Sequence, residues 1–289
     1  MELYNTISKQ ILDIKGNNVL TATYIYSLIK KYRNFETNIS TLTEESISKF
    51  TNITRSKVSG IINEFKKLDN GLFKEITTTY QTKNRRINKY LFNDTDESYF
   101  YTMNEFYIKP LDGISEKDQT KCKGLLFRLK AICINYSNVT LYNKNEIAYK
   151  IGLSIPTLNK YLSMLINAGH IKIIDGGYFI SNPFIIPDYV KDDIYSFNYH
   201  CIYYHCLDNG CIPPIRNAHI DNILIGHFIY TDKEYNNSTA QNKDKVYLPL
   251  VIKERLSNMP YFVNWSYLLK ALCNYTLEKH TNNKLTITL

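Results

Sequence analysis

The sequence predicts a mainly α fold with small β-hairpins, in which two similar units, residues 1–92 and 93–182, precede a helical C-terminal unit, residues 183–289. Three observations lead there. A hydrophobic pattern repeats at an offset of 100 residues, apolar residues within each copy recur at helical spacing, and each copy closes with two short β-type runs around turn residues. The repeat lies in pattern rather than identity. The pairs Ile47/Ile147, Ile53/Leu153, Val58/Leu158, Ile62/Leu162 and Phe65/Leu165 keep register without a gap, and upstream Ile25/Leu125, Ile29/Leu129 and Tyr32/Ile132 do the same.

The first helix of the first copy carries Ala22, Ile25, Leu28, Ile29 and Tyr32, a spacing that lines one face of a 3.6-residue period and assigns that face to the core. A second helix opens at Thr43 or Asn143, where a side-chain oxygen can accept an unpaired backbone N–H, and carboxylates follow in its first turn. It lasts barely two turns. The break falls at Asn52 and Gly152, residue types that accept a left-handed backbone cheaply. The third helix restarts from Thr54 or Ser154 as N-cap, and Pro156 is tolerated in its first turn, where the missing N–H has no intrahelical partner. Turns follow at Asp69-Asn70-Gly71 and Asn167-Ala168-Gly169. In the first copy the runs Glu75–Tyr80 and Asn88–Phe92 are expected to flank a basic tip, Gln81–Ile87. In the second, Ile171–Ile174 and Tyr178–Ile180 flank Asp175-Gly176-Gly177, a tight hairpin signal.

Composition narrows the function classes. With 44% hydrophobic and 21% charged residues the chain can bury real cores, and it has no apolar run long enough to span a membrane. The start, Met1-Glu2-Leu3-Tyr4-Asn5, has neither a basic nor an apolar leader region, so a cytoplasmic protein is expected, without membrane partners and with its six cysteines reduced. The net charge of +8 is unevenly placed. Residues 1–92 hold 15 Lys+Arg against 8 Asp+Glu, residues 93–182 hold 10 against 9, and residues 183–289 hold 10 against 10. A polyanion-binding surface therefore belongs chiefly to the first third.

The run Phe106-Tyr107-Ile108-Lys109-Pro110-Leu111, then Lys123-Gly124-Leu125-Leu126-Phe127-Arg128-Leu129, then Glu146-Ile147-Ala148 through Leu165-Ile166-Asn167-Ala168-Gly169-His170-Ile171 resembles the winged helix-turn-helix superfamily. Within it the chain is similar to the DNA-binding domains of plasmid and phage replication initiators of low-GC bacteria, over roughly residues 19–182. The resemblance implies two tandem winged-helix domains, the second entered through a linker strand, with the hairpins as wings. A paired arrangement in one chain resembles monomeric iteron-binding initiators, which implies two major-groove contacts along one face of a duplex.

In that mode the third helix enters the major groove, so its solvent-facing residues carry the readout. In the first copy these are Arg55, Ser56, Lys57, Ser59, Gly60, Asn63 and Lys67. Arg55 and Asn63 suit guanine and adenine, while Ser56 and Lys57 suit phosphates. In the second copy the set is Ile155, Thr157, Asn159, Lys160 and Ser163, suited to thymine methyl and adenine contacts. Lys83, Arg85, Arg86 and Lys89 lie on or beside the long hairpin tip, where arginine can enter a narrow minor groove. The bland reading of each set is a solvated polar face.

Enzyme chemistry is not expected, because no phosphate-binding loop, H-E-x-x-H, G-x-S-x-G or relaxase-type histidine pair is present. Tyr24, Tyr26, Tyr32 and Tyr161 fall at packing positions rather than as nucleophiles. His200, Cys201, His205, Cys206 and Cys211 lack the knuckle spacing of structural zinc, so neither metal nor cofactor is expected. Helices are expected over 187–208, 215–230, 248–258 and 261–280, with a polar loop at 231–245 between them, and this neutral, aromatic-rich third is assigned to dimerisation or to host replication proteins. Two functions stay open. One is a replication initiator on repeated sites; the other is a transcriptional repressor or partition-type adaptor that binds an operator as a dimer.

Overall fold

The computed structural model describes residues 4–67, 72–82, 85–93, 98–134 and 137–187, with isolated positions beyond. Among the described residues seven helices combine with small antiparallel sheets and hairpins in a mixed α/β fold. The chain runs β1 (Tyr4–Ser8), a 3-10 turn (Lys9–Asp13), α1 (Val19–Lys31), β2 (Arg33–Asn34), β3 (Ile39–Ser40), α2 (Glu44–Thr51), α3 (Arg55–Phe65), β4 (Phe73–Thr82) and β5 (Arg85–Phe92). It then runs β6 (Tyr99–Met103), α4 (Glu105–Ile108), α5 (Glu116–Ala131), β7 (Val139–Thr140), α6 (Lys144–Ile151), α7 (Ile155–Asn167), β8 (Ile171–Ile174) and β9 (Gly177–Ile180). Apart from β2, the second series repeats the first in order. The sheets repeat as well, β3-β5-β4 in one copy and β7-β9-β8 in the other.

The local chemistry of the two copies agrees closely. Thr43 accepts the Ser46 N–H at 3.1 Å, and Asn143 with Glu146 forms a reciprocal capping box. Asn52 and Gly152 both adopt the left-handed conformation, with φ of 51° and 66°. Each break then closes the same way: Ile53 N–H donates to the Ser48 carbonyl and Leu153 N–H to the Ala148 carbonyl. The third helices differ at their starts. Ser154 accepts the Thr157 N–H, whereas Thr54, although at the N-cap position, makes no side-chain cap bond.

Of the offset-related pairs, Ile25/Leu125, Ile29/Leu129, Ile47/Ile147, Val58/Leu158, Ile62/Leu162 and Phe65/Leu165 are buried in both copies, and Ile53/Leu153 pack partly buried against them. Tyr32/Ile132 breaks the rule. Ile132 is buried, but Tyr32 is the C-cap of α1, 42% exposed, and stacks on Phe50 at 5.4 Å.

The expectation of a single buried face on the first helix is also corrected, because every residue of α1 from Val19 to Lys30 is buried, as is α5 from Cys122 to Ala131. Each helix packs on its own copy on one side and on its counterpart on the other. Gly124 makes this approach possible, since a Cβ there would lie 2.0 Å from the Leu20 carbonyl oxygen. Phe127 fills the junction against Phe106 at 4.8 Å, Phe100 at 5.9 Å and Tyr24 at 6.3 Å. Beside the helices, β1 pairs antiparallel with its counterpart β6, Ile7 opposite Phe100.

Two buried cations seal the junction. Arg128 donates from Nε to the Ile151 carbonyl at 2.7 Å, from Nη2 to the Leu12 carbonyl at 3.0 Å, and from Nη1 to Thr23 Oγ1 at 3.0 Å and the Ile11 carbonyl. Burial lowers its pKa to about 10, which still leaves it cationic at neutral pH. Lys123 donates to the Lys109 carbonyl at 2.8 Å and lies over the rings of Tyr24 and Phe106. Burial, with nearby Lys31 adding to it, pushes its pKa down to about 8.

The second copy also braces the turn of the first. Asn52 donates to Glu116 at the start of α5 at 2.9 Å, and Thr120 donates to the Thr51 carbonyl. At the other turn the Arg128 guanidinium lies closest to Gly152 and bonds the Ile151 carbonyl before it. In the last third, β10 (Phe228–Ile229), β11 (Asp244–Lys245) and β12 (Phe262–Val263) pair in the order β10-β12-β11. Strand residues thus stand inside the helices expected over 215–230 and 261–280, where aromatic and β-branched side chains favour extended pairing. Most of those helices, the helix expected over 248–258 and the turn at Asp69-Asn70-Gly71 lie outside the described residues. Among the described residues no helix is long and apolar enough to cross a membrane.

Two outcomes test this junction. Gly124→Ala should lower the unfolding free energy by about 1–3 kcal/mol or more, read by urea denaturation, because the obstructing atom is backbone and cannot turn aside. The unfolded chain keeps an ordinary Lys123 near 10.5 while the folded chain holds it near 8, so folding releases protons between those values and stability rises with pH across that window. Lys123→Met has nothing to titrate there, so the Tm difference between variant and parent should shift in the parent's favour as pH rises through 8 toward 10.5.

Candidate nucleic-acid interface

Burial of Val58, Ile61, Ile62 and Phe65 turns the opposite side of α3 outward. Arg55, Ser56, Lys57, Gly60, Asn63 and Lys67 are all exposed there, as expected, and Ser59 is half-buried at the edge of the face. Glu64 and Lys66 are exposed as well. On α7, Leu158, Tyr161, Leu162 and Leu165 are buried, and Lys160 and Ser163 are exposed.

Ile155, Thr157 and Asn159, expected on the open face of α7, are only half-exposed. Tertiary packing explains the difference. The start of α1 lies against α7, and Asn17, Asn18, Lys121, Thr157, Lys160 and Tyr161 line the cleft between them. Thr157 Oγ1 shares a 2.8 Å hydrogen bond with Ser154, and Asn159 Oδ1 is enclosed without a hydrogen-bond partner among the described residues. Lys160 and Lys121 lie over the Tyr161 ring at 5.0 and 5.6 Å, which brings to this face a cation the sequence reading missed. Lys121 sits on a helix distant in sequence, so no periodicity within α7 could reveal it.

The first hairpin is longer than expected. Its strands continue to Thr82 and Arg85, with Arg86 opposite Tyr80 and Arg85 opposite Thr82, so both arginines belong to strand β5 rather than to the tip. The β-branched run Thr77-Thr78-Thr79, opposite Lys89, Asn88 and Ile87, carries the pairing outward. Lys83 lies outside the described residues. Lys89 is exposed, opposite Thr77.

At its base this hairpin is tied to both ends of α3. Phe73 packs on Phe65 at 5.6 Å, Tyr26 at 5.3 Å and Phe92 at 5.1 Å. A polar chain runs alongside. Lys66 Nζ donates to Thr78 Oγ1 at 2.8 Å, Thr78 donates to Asn88 Oδ1 at 2.7 Å, and Asn88 Nδ2 donates to Glu44 Oε1 at 3.1 Å. Glu44 Oε2 in turn stands 3.8 Å from Arg55 Nε. Glu44, Lys66, Thr78 and Asn88 were not among the sequence candidates. Only Lys66 carried a signal, as a cation on the open side of α3.

The His200, Cys201, His205, Cys206 and Cys211 set lies outside the described residues. Among the described residues no cluster of His, Cys, Asp and Glu could hold a metal. Cys122 is buried and its thiol is pushed up to about 12, chiefly by burial, which leaves it inert at neutral pH. Tyr24, Tyr26 and Tyr161 are buried in packing roles. No protein-family model, curated protein or solved structure matches the chain.

Gly60 checks that the α3 face is open. A Cβ at this mid-helix position would meet nothing within 4 Å. Gly60→Ala should therefore raise the unfolding free energy by about 1 kcal/mol in urea denaturation, the helix-propensity gain alone.

Proposed function

We propose that the chain is a sequence-specific double-stranded DNA-binding protein of a plasmid or phage-like element, built on two tandem winged-helix domains and acting as a replication initiator on repeated sites. The observation that carries this reading is the twofold occurrence of one element order, each copy placing a helix with an outward polar face, α3 or α7, just after a left-handed break. That is the arrangement by which a second helix is presented to a major groove. In the first domain α3 supplies Arg55 and Asn63 for base edges and Ser56, Lys57 and Lys67 for phosphates, and the long hairpin is the wing that follows the duplex backbone. In the second domain Lys160 and Ser163 are the presented residues, and Thr157 and Asn159 need a side-chain rearrangement to reach a base.

One chain carries both reading helices on a shared core, which supports the initiator over the repressor, since a repressor of this kind needs a second copy to gain its second helix. No cofactor takes part. The C-terminal third is the part that meets a second copy or host replication proteins.

Sequencing the DNA that copurifies with the protein supplies the test duplex, and direct repeats in it support initiation. With that duplex, replacing Arg85 and Arg86 by Ala should weaken specific and random DNA alike and make the salt dependence shallower by about 0.9 per lost phosphate contact. Arg55→Ala should instead cost about 1–3 kcal/mol on the cognate site and little on random DNA. Fluorescence anisotropy across a salt series reads both, and an unchanged slope in the double variant would take the hairpin off the phosphate backbone.

A further inference from the structure

We infer that Glu44 is a specificity-determining positioning residue, which holds Arg55 for base reading and references it to the wing through Asn88. The inference rests on the DNA-binding reading and names a residue that reading does not use.

Two glutamates begin α2, where negative charge is favoured by the helix dipole. They are placed differently. Glu45 lies in solvent, 65% exposed, and pairs with Lys49 one turn on. Glu44 is only 16% exposed and turns toward α3 and the hairpin, with one oxygen taken by Asn88 at 3.1 Å and the other facing Arg55 at 3.8 Å. Helix-end electrostatics alone explains Glu45 and leaves the direction of Glu44 unexplained.

The second copy shows that this arrangement is no requirement of the repeated architecture. At the positions 100 residues on, Glu44 is replaced by Lys144, Arg55 by Ile155 and Lys66 by Ile166. The polar chain thus belongs to the domain with the long hairpin and the surplus positive charge.

The geometry suits orientation rather than stabilisation. Arg55 is 60% exposed, and an ion pair at that exposure contributes little to folding. Glu44 engages Nε, the inner nitrogen, while the two η nitrogens form the fork that bonds guanine O6 and N7. Limiting the guanidinium to rotamers beside Glu44 lowers the entropy lost when it meets the right base. A carboxylate this close to a duplex also repels phosphate, so on a wrong sequence Arg55 stays with Glu44 and the repulsion is uncompensated.

The test uses the full chain with Glu44→Gln, Arg55→Ala and both together. Each is titrated by fluorescence anisotropy against the copurified duplex, its single-base variants and a random duplex, with thermal unfolding alongside. The amide oxygen that Glu44→Gln introduces can still accept from Asn88, so Tm should fall only by the small contribution of one helix-start charge. Affinity for random duplex should rise severalfold while the cognate-to-random ratio falls about tenfold, the loss falling at the same base pair that Arg55→Ala relaxes. The double variant should be no less selective than Arg55→Ala alone. A uniform loss on every duplex, an unchanged ratio, or losses that add in the double variant would overturn the assignment. A parent protein that binds no duplex fails the DNA-binding reading, whereas one that binds with selectivity untouched by Glu44→Gln fails this inference alone.

Discussion

The packing of α1 against α5 joins the two repeated copies among the described residues. Val19–Lys30 of α1 and Cys122–Ala131 of α5 are buried in one core that both copies share, and their close approach at Gly124 leaves no room for a side chain over the Leu20 carbonyl. Arg128 then crosses the junction and satisfies backbone acceptors from the first copy's 3-10 turn and from the end of α6. A guanidinium is suited to this, since its five donors in a fixed plane can meet several carbonyls at once. Losing it would leave buried acceptors unpaired, at about 1–3 kcal/mol each. The turn before α3 is braced by the start of the other copy's long helix, through Glu116 and Thr120, and the end of α6 before the turn to α7 is held by Arg128.

Within this repeated frame the two outward faces have diverged. The face around α3 has a long hairpin, an aromatic anchor at Phe73 and a polar chain that refers both ends of the helix to the hairpin. The face around α7 has a four-residue hairpin on each side of a short turn, and part of its polar set is tucked toward α1. The charge surplus of residues 1–92 over residues 93–182 lies on the same side of that division. One unit thus combines extended strands with a helix braced at both ends, while the other offers a smaller outward surface.

What was legible in the sequence was what local chemistry and periodicity determine. Asn52 and Gly152 announced the helix breaks because few residues take a positive φ at low cost, and Thr43 and Asn143 announced the helix starts through their capping oxygens. Pairs such as Val58/Leu158 read correctly because a core position is apolar whatever it packs against. The misreadings came from tertiary neighbours. Tyr32 carries the apolar period to the helix end, yet there it meets only a stacked Phe50 and the Lys31 ammonium among the described ring contacts and stays 42% exposed. Thr157 has the spacing of a solvent face, and only in three dimensions does the start of α1 line a cleft with it. The hairpin strands outran their expected ends because a basic composition at Arg85 and Arg86 resembles a loop, while cross-strand pairing with Tyr80 and Thr82 extends the ladder. Glu44 was unreadable as more than a helix-start carboxylate, since its partners Asn88 and Arg55 meet it only in three dimensions.

The antiparallel pairing of β1 with β6 and the packing of α1 against its counterpart α5 join the two copies as a homodimer interface would, with both halves on one polypeptide. In a true homodimer the assembled fraction depends on concentration, and every substitution is made twice, so a charge gained on one reading face is gained on both. Here the partner is tethered and dilution cannot remove it. A substitution is made once, which frees Gly124 to be glycine opposite Leu20 while the position 100 residues earlier is Tyr24, and frees one face to carry Glu44 and Arg55 where the other has Lys144 and Ile155. Such a chain presents two non-identical outward faces while keeping the packing of one repeated frame.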